Sequence, residues 1–426
     1  MEKKLTEMTG EELTAFYRDA RQTYDAWKAK GLKLDMSRGK PSSAQVGISD
    51  EMLAMPVAGD CTVDGTDARN YGVLDGLPCC KKLFADILGC RPAQVFVGGN
   101  ASLTLMYDTV AKAYTHGLLH SETPWCKLDR VKFLCPAPGY DRHFRICETF
   151  GMEMLPVPMT DDGPDMDVVE RLIADPAVKG MWNVPKYSNP DGIIYSEETV
   201  RRIARMRPAA SDFLLMWDNA YCIHEFDGPF VPFPDILAEC EKAGNPDMPF
   251  EFASTSKLTY PGAGVACFAA SEANLAYMKK LIGCQTIGSD KLNQLRHVQF
   301  LKDRETTLAH MQRHAAFLKP KFEAVFAALD ERVTPLGVAS YRRPKGGYFI
   351  SLFTLPGCAK RVNQLTKEAG VVMTGAGATY PLANDPDDAN LRIAPSYPPL
   401  AELKDAAEVF CAAIRLASAE KLLGML

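Results

Sequence analysis

Phe250-Glu251-Phe252-Ala253-Ser254-Thr255-Ser256-Lys257 decides how the rest of the chain is read. Its first half is a short apolar run of strand character, and its second half is a polar turn that ends on a lysine and leads into Pro261-Gly262-Ala263-Gly264. The same grammar recurs upstream. Val95-Phe96-Val97, Val131-Lys132-Phe133-Leu134, Met154-Leu155-Pro156-Val157, Met181-Trp182-Asn183-Val184 and Phe213-Leu214-Leu215-Met216-Trp217 are apolar runs separated by segments of helical periodicity. Alternation of this kind predicts an α/β fold around a mainly parallel sheet buried on both faces. Ligands of such sheets bind beyond the carboxyl ends of the strands. The polar clusters after the runs are therefore expected to converge: Gly98-Gly99-Asn100-Ala101-Ser102, Pro138-Gly139-Tyr140, Lys186-Tyr187-Ser188-Asn189-Pro190, Asp218-Asn219-Ala220-Tyr221 and Ser254 to Lys257. A lysine becomes a nucleophile where its surroundings lower its pKa and an aldehyde is held against it, so Lys257 is a candidate for an imine with a carbonyl cofactor.

At 426 residues the chain exceeds one ordinary core. The expected division is an N-terminal helix and arm over 1–55 that packs with a smaller α+β domain over 306–426, and a large cofactor-binding domain over 56–305. Thr9-Gly10-Glu11-Glu12 is a capping-box start for a helix that carries Leu13, Phe16, Tyr17, Ala20, Tyr24 and Trp27 on one face and stops by Gly31. Ser37-Arg38-Gly39-Lys40-Pro41-Ser42 and the stretch to about Pro78 are punctuated by Gly, Pro and Asp, which predicts an extended arm and loops. After residue 300 a long helical stretch is expected, then a strand over Gly346 to Leu352, another over Leu391 to Ala394, and a final amphipathic helix.

Hydrophobic residues make up 47% and charged residues 24%, with a net charge of -5. That balance argues against nucleic acid or an anionic membrane as the main partner and favours a small molecule. The first residues lack the apolar core of a signal peptide, and no apolar run is long enough to span a bilayer, so a cytoplasmic location is expected. The 13 cysteines are odd in number, lack C-x-x-C spacing and sit mostly in apolar company, which reads as reduced core thiols. His116 with His120, and His310 with His314, have i, i+4 spacing without the Glu of a zinc motif; solvated helix faces are expected for both pairs, and no metal site.

Five clusters in this order resemble the fold-type I pyridoxal-phosphate enzymes, and within them the class I aminotransferases. The nearest resemblance is to a divergent bacterial aspartate aminotransferase subgroup that shares Ser37-Arg38-Gly39-Lys40-Pro41 and Tyr71-Gly72-Val73-Leu74-Asp75-Gly76. The resemblance implies pyridoxal 5'-phosphate as cofactor, with Lys257 both carrying it and moving the substrate's α-proton. It also implies that Asp218 pairs with the pyridinium nitrogen, Tyr221 and Asn189 bond the phenolic oxygen, Tyr140 stacks on the ring, and His143 supports Asp218. Taken alone, Asp218 also fits a helix N-cap. Asn100, Ala101, Ser102, Ser254 and Ser256 would meet the phosphate, joined by Tyr71 from the neighbouring subunit of a homodimer. Arg392 would hold the substrate α-carboxylate by a bidentate fork, with Asn189 and Gly39 beside it.

Two departures stand out. The family's phosphate-binding arginine, about eight residues after the lysine, is replaced by the glycine-rich stretch at Gly264. The region expected to supply a cation for a second substrate carboxylate reads Ser289-Asp290-Lys291-Leu292, so Lys291 is the candidate, with Arg38 as the other. The implied activity is transfer of the amino group of L-aspartate to 2-oxoglutarate. Another donor, or a β-lyase or decarboxylase on the same cofactor, is the alternative, which fold and cofactor site do not separate; a ligand-sensing regulatory module is a third reading, and it would leave the full set of candidate catalytic groups unexplained.

Overall fold

The computed structural model describes residues 3–57 and 59–426. Its centre is an eight-stranded sheet. Across the sheet the order is Val95–Val97, Ala266–Ala269, Pro249–Ser254, Leu214–Asp218, Val178–Asn183, Lys132–Ala137, Glu153–Thr160 and Gly163–Pro164. Ala266–Ala269 runs antiparallel to both neighbours and Gly163–Pro164 antiparallel to its one, while the remaining pairings are parallel. Side chains alternate between two buried layers: Leu214 and Met216 enter the core that contains Phe133, Trp182 and Phe252, and Leu215 and Trp217 enter the core that contains Val157, Met181 and Ala253. Burial on both faces is why the strands read as continuous apolar runs rather than as alternating ones.

The antiparallel strand Ala266–Ala269 is one of the elements that sequence reasoning passed over, with Gly163–Pro164 and Ala339–Tyr341. Its four residues carry no polar punctuation between themselves and the preceding glycines, and it is too short for periodicity to register.

A second, three-stranded antiparallel sheet has the order Ala339–Tyr341, Ile350–Thr354, Asn390–Ile393. It shares a core with the helices Arg304–Arg332, Ala359–Glu368 and Leu400–Leu422. The N-terminal helix Gly10–Lys28, closed at its start by the Thr9/Glu12 capping box, buries Leu13, Ala20 and Tyr24 in that same core. Tyr24 donates to the Leu365 carbonyl at 2.9 Å. The arm then pairs Leu34–Asp35 in parallel with Val371–Val372. No helix of the described residues is long and apolar enough to cross a membrane.

The strand expected over Gly346 to Leu352 begins only at Ile350. The preceding glycines are instead pressed against the first body of the structure: Gly346 bridges Glu225, and a Cβ on it would fall 2.5 Å from the Tyr187 ring and 2.6 Å from the His224 carbonyl. Contacts that close leave no room for a side chain. Gly346→Ala is therefore expected to lower stability by about 2 kcal/mol or more, read as a fall in the thermal midpoint of the purified protein; an unchanged midpoint would contradict this packing.

Candidate active site

The carboxyl ends of the parallel strands do converge. One cavity is lined by Lys257, Asp218, Tyr221, Asn189, Tyr140 and Ser102, with Gly39 and Phe349 also on its wall. Lys257 stands on a turn pinned from both sides. Leu258 and Thr259 N–H groups donate to the Thr255 carbonyl at 2.9 Å, and the Thr255 hydroxyl accepts from Val265 N–H at 2.9 Å. The Thr255 and Thr259 hydroxyls lie 3.1 and 2.8 Å from His297 Nε2. Burial pushes the Lys257 amine below the usual lysine range, and the Asp218 charge pulls it back up. The amine lies 4.9 Å from the centre of the Tyr221 ring.

Asp218 is the last residue of its strand and is buried. No helix begins after it, which removes the N-cap reading. Its Oδ2 is 3.0 Å from His143 Nε2, and the imidazole is stacked on Trp182 at 4.3 Å and 8°. Oδ1 is buried with no partner. A buried carboxylate oxygen left unpaired is costly, so this cavity suits a flat group that presents an N–H to it and a carbonyl to the lysine. Pyridoxal phosphate has that donor set. Burial pushes the Tyr140 phenol up to about 12, with the Asp218 charge second, and burial raises the Tyr221 phenol well above its ordinary value. Both are neutral hydrogen-bonding groups at working pH.

Arg392 is buried on a strand whose neighbours Leu391 and Ile393 enter the core. Its Nη1 donates to Asp141 Oδ1 at 2.8 Å and to Asn189 Oδ1 at 3.2 Å, its guanidinium lies 4.8 Å from the Phe349 ring centre, and its Nε is buried without a partner. Through Asn189 and Phe349 the arginine is joined to the cavity. Sequence reasoning missed Asp141, Phe349 and Trp182. Asp141 directly follows Tyr140 and could have been proposed as a counter-ion; Phe349 and Trp182 resemble ordinary core aromatics and carried no signal.

Around the expected phosphate position, Ser254 Oγ donates to Ser256 Oγ at 3.1 Å, and Ser102 opens the helix Ser102–Thr115 with Ala101 as its N-cap. Asn100 is exposed. Gly264 leaves little room for a side chain: a Cβ there would fall 3.0 Å from the Tyr260 carbonyl, 3.1 Å from Thr255 Oγ1 and 3.3 Å from the Asn100 carbonyl.

Arg392, Asn100, Ala101, Ser254 and Ser256 are not on the wall of this cavity, and three further expected residues lie apart from it. Tyr71, 82% exposed, and the buried Lys291 share a separate cleft lined by residues 68–72 and 287–292. Arg38 is exposed and ion-paired to Asp35 at 3.5 Å. The histidine pairs also differ from expectation. His310 and His314 are buried and in contact, because their helix face packs under the lysine turn; His116 and His120 are exposed, but the helix ends at Thr115 before reaching His120. Of the cysteines, none is paired, and Cys126 and Cys284 are exposed rather than core. Among the described residues no group of His, Cys, Asp or Glu is arranged to hold a metal.

Beneath Asp218, on the opposite face of the sheet, Glu251 is buried with the Asn219 side-chain amide donating to its Oε1 at 2.8 Å and its Oε2 unpartnered. Burial, then the Asp235 charge, pushes it up to about 8. The folded value lies above the ordinary carboxyl value. The stability linked to the protonated form is therefore complete at acid pH and is lost as pH rises from the ordinary carboxyl range through about 8. Glu251→Gln should match the wild type near pH 5 and exceed it by about 2–4 kcal/mol at pH 8, measured by urea unfolding across pH; parallel curves would rule out a buried titration.

A family model described as aspartate amino-transferase matches residues 8–425. An aspartate aminotransferase of Corynebacterium glutamicum is 47% identical over 417 residues, covering 98% of this chain and 96% of that protein. A crystal structure of an aspartate transaminase from Corynebacterium glutamicum superposes with a TM-score of 0.97 at 46% identity, covering 99% of this chain and all of that one (100%). An alpha-aminoadipate aminotransferase of Thermus thermophilus, solved with N-(5'-phosphopyridoxyl)-L-leucine, shares the fold at a TM-score of 0.73 and 21% identity, covering 94% of this chain and 96% of that one.

Proposed function

The chain belongs to the aspartate amino-transferase family, and from that membership we propose that it moves the amino group of L-aspartate to 2-oxoglutarate, giving oxaloacetate and L-glutamate, with pyridoxal 5'-phosphate as cofactor. The observation that carries this reading is the shared cavity of the Lys257 amine and the Asp218 carboxylate, whose Oδ1 has no partner among the described residues. When bound, the protonated pyridine ring supplies a sink for the electron pair left on the substrate α-carbon.

The chain's own groups do the rest. Lys257 Nζ, with its proton affinity lowered by burial, anchors the cofactor and then takes the proton from the substrate α-carbon. Asp218, oriented by His143, keeps the ring nitrogen protonated. Tyr221 and Asn189 donate to the ring oxygen, and Tyr140 covers the ring face. Ser102, Ser254, Ser256 and the backbone N–H groups at Asn100 and Ala101 receive the phosphate at a helix N-terminus. Arg392 takes the α-carboxylate, with Asn189 and Gly39 beside it. Its bond to Asp141 gives way to the substrate in this reading.

A homodimer belongs to the same proposal. Tyr71 and Lys291 share an exposed cleft of their own, which suits a role at a neighbouring subunit's cavity: Tyr71 at the phosphate, and Lys291, with Arg38 as the second candidate, at the side-chain carboxylate of the dicarboxylic substrates. The division near residues 55 and 305 and a cytoplasmic location are parts of this reading.

Two measurements test it. The visible band of the purified protein should bleach on adding L-aspartate and return with 2-oxoglutarate, and Lys257→Ala should abolish the return; release of pyruvate and ammonia, or of carbon dioxide, would instead favour a lyase or decarboxylase. Arg392→Lys loses the bidentate fork. Hydrogen bonds to charged groups are worth about 1.5–3 kcal/mol, so kcat/KM should fall about 10- to 150-fold for both substrates, measured by steady-state kinetics.

A further inference from the structure

Behind Lys257, away from the cavity, lies a continuous buried polar chain that the reaction as described does not use. Leu258, the residue after the lysine, offers its carbonyl to His310 Nε2 at 2.7 Å. His310 Nε2 is 3.1 Å from His314 Nε2, and His314 Nδ1 is 3.1 Å from the side-chain amide of Gln45, which is also 2.7 Å from the Tyr348 hydroxyl. Ser49 Oγ joins at the other end, 3.3 Å from His310 Nε2 and 3.4 Å from the Leu258 carbonyl. All of these side chains are buried.

Proton positions follow from the one group that can only accept. The Leu258 carbonyl requires the single proton on His310 Nε2, and His314 Nε2 at 3.1 Å is the longer arm of a three-centre bond; a second proton between the two nitrogens would clash, so the His314 proton sits on Nδ1, facing Gln45. An amide nitrogen cannot accept that proton. The Gln45 amide is therefore oriented with its oxygen toward His314 and Tyr348, which places its nitrogen at the buried position that has no partner among the described residues. Both imidazoles are neutral, held below the ordinary histidine value by burial, His314 at about 3 with His310 as the next cause.

The two ends of the chain meet at the lysine. One end holds the carbonyl of the turn on which Lys257 stands. The other holds Tyr348, whose ring centre is 5.9 Å from the Lys257 amine and which stacks on Tyr221 at 6.1 Å. The titratable groups facing the amine are Asp218 and Tyr221 from the end of the central strand, Tyr348 from the second sheet, and His224, whose ring meets Tyr221 and Tyr348 edge-on and has neither nitrogen partnered. Gln45 and Ser49 come from the arm that also carries Gly39 into the cavity wall.

We propose that Gln45 and His314 are positioning residues for Lys257: the chain from the Leu258 carbonyl through His310, His314 and Gln45 to the Tyr348 hydroxyl clamps both the lysine's turn and the aromatic wall beside its amine, so that the amine's proton affinity depends on the seating of residues 42–49. Releasing the clamp loosens the wall, admits water to the amine and relieves its desolvation, which raises its proton affinity. The inference rests on Lys257 being the reactive amine of the proposed function.

The test measures that affinity in wild type, Gln45→Leu, His314→Leu and His314→Asn, in two ways. One is the pH midpoint of the visible band of the protein loaded with pyridoxal phosphate. The other needs no cofactor: the pH dependence of Lys257 labelling by formaldehyde and cyanoborohydride, quantified by peptide mass spectrometry. Both leucine variants should raise the affinity threefold or more and lower kcat with little change in the KM for aspartate. His314→Asn, whose amide can still reach Gln45 from the Nδ1 position, should return the affinity toward wild type. Leucine variants with a lowered thermal midpoint but wild-type affinity in the labelling assay would overturn the inference and leave the network as packing alone. A wild type without a visible band would count against the proposed function, while the labelling series would still decide this one.

Discussion

The structure depends on a carboxylate held where water cannot reach it. Asp218 ends a strand covered on both faces, and among the described residues its side chain's one hydrogen-bond partner is His143, itself stacked on Trp182. A charge in that position is tolerated only if another partner completes its shell, and the cavity in front of it contains a lysine whose amine is also desolvated. Each makes the other's ionised form less costly. Asp218 ends one doubly buried central strand, and Lys257 stands on the turn that follows its neighbour, held there by the hydrogen bonds around Thr255.

The second sheet and the arm solve a different problem. Arg392 must be buried to bind a carboxylate strongly, yet it has to remain available, and the strand Asn390–Ile393 achieves this by directing the residues on either side of it into an apolar core. Asp141, the first residue of the helix Asp141–Thr149, and Asn189, from a loop of the large sheet, occupy one nitrogen of the guanidinium. Phe349 lies under it. The close approach of Gly346 to Tyr187 and His224 ties the two sheets together beside the cavity. The buried histidine chain behind Lys257 adds a third connection, from the arm to the lysine's turn.

Much of this was legible in the residues. The apolar runs are continuous because both faces of the sheet are buried, so strand positions could be read from composition alone, and the polar cluster after each run marked the edge where Lys257, Asp218, Asn189, Tyr140 and Ser102 meet. The Thr9/Glu12 capping box announced the first helix because its signal is local. The antiparallel strand Ala266–Ala269, the late start of Ile350–Thr354 and the burial of His310 and His314 were not legible. Each is decided by which distant segment packs against it.

The sequence by itself determined the alternation of strand and helix, the order of the clusters and the residue types available for chemistry, since these depend on side-chain polarity and short-range backbone preference. Only the tertiary structure decided which of those residues share a cavity. It set Tyr71 and Lys291 in a cleft of their own, left Arg38 on Asp35, and packed Gly264 closely against Tyr260, Thr255 and Asn100. Distances between residues far apart in the chain follow from how whole layers pack, and local preference carries no information about them.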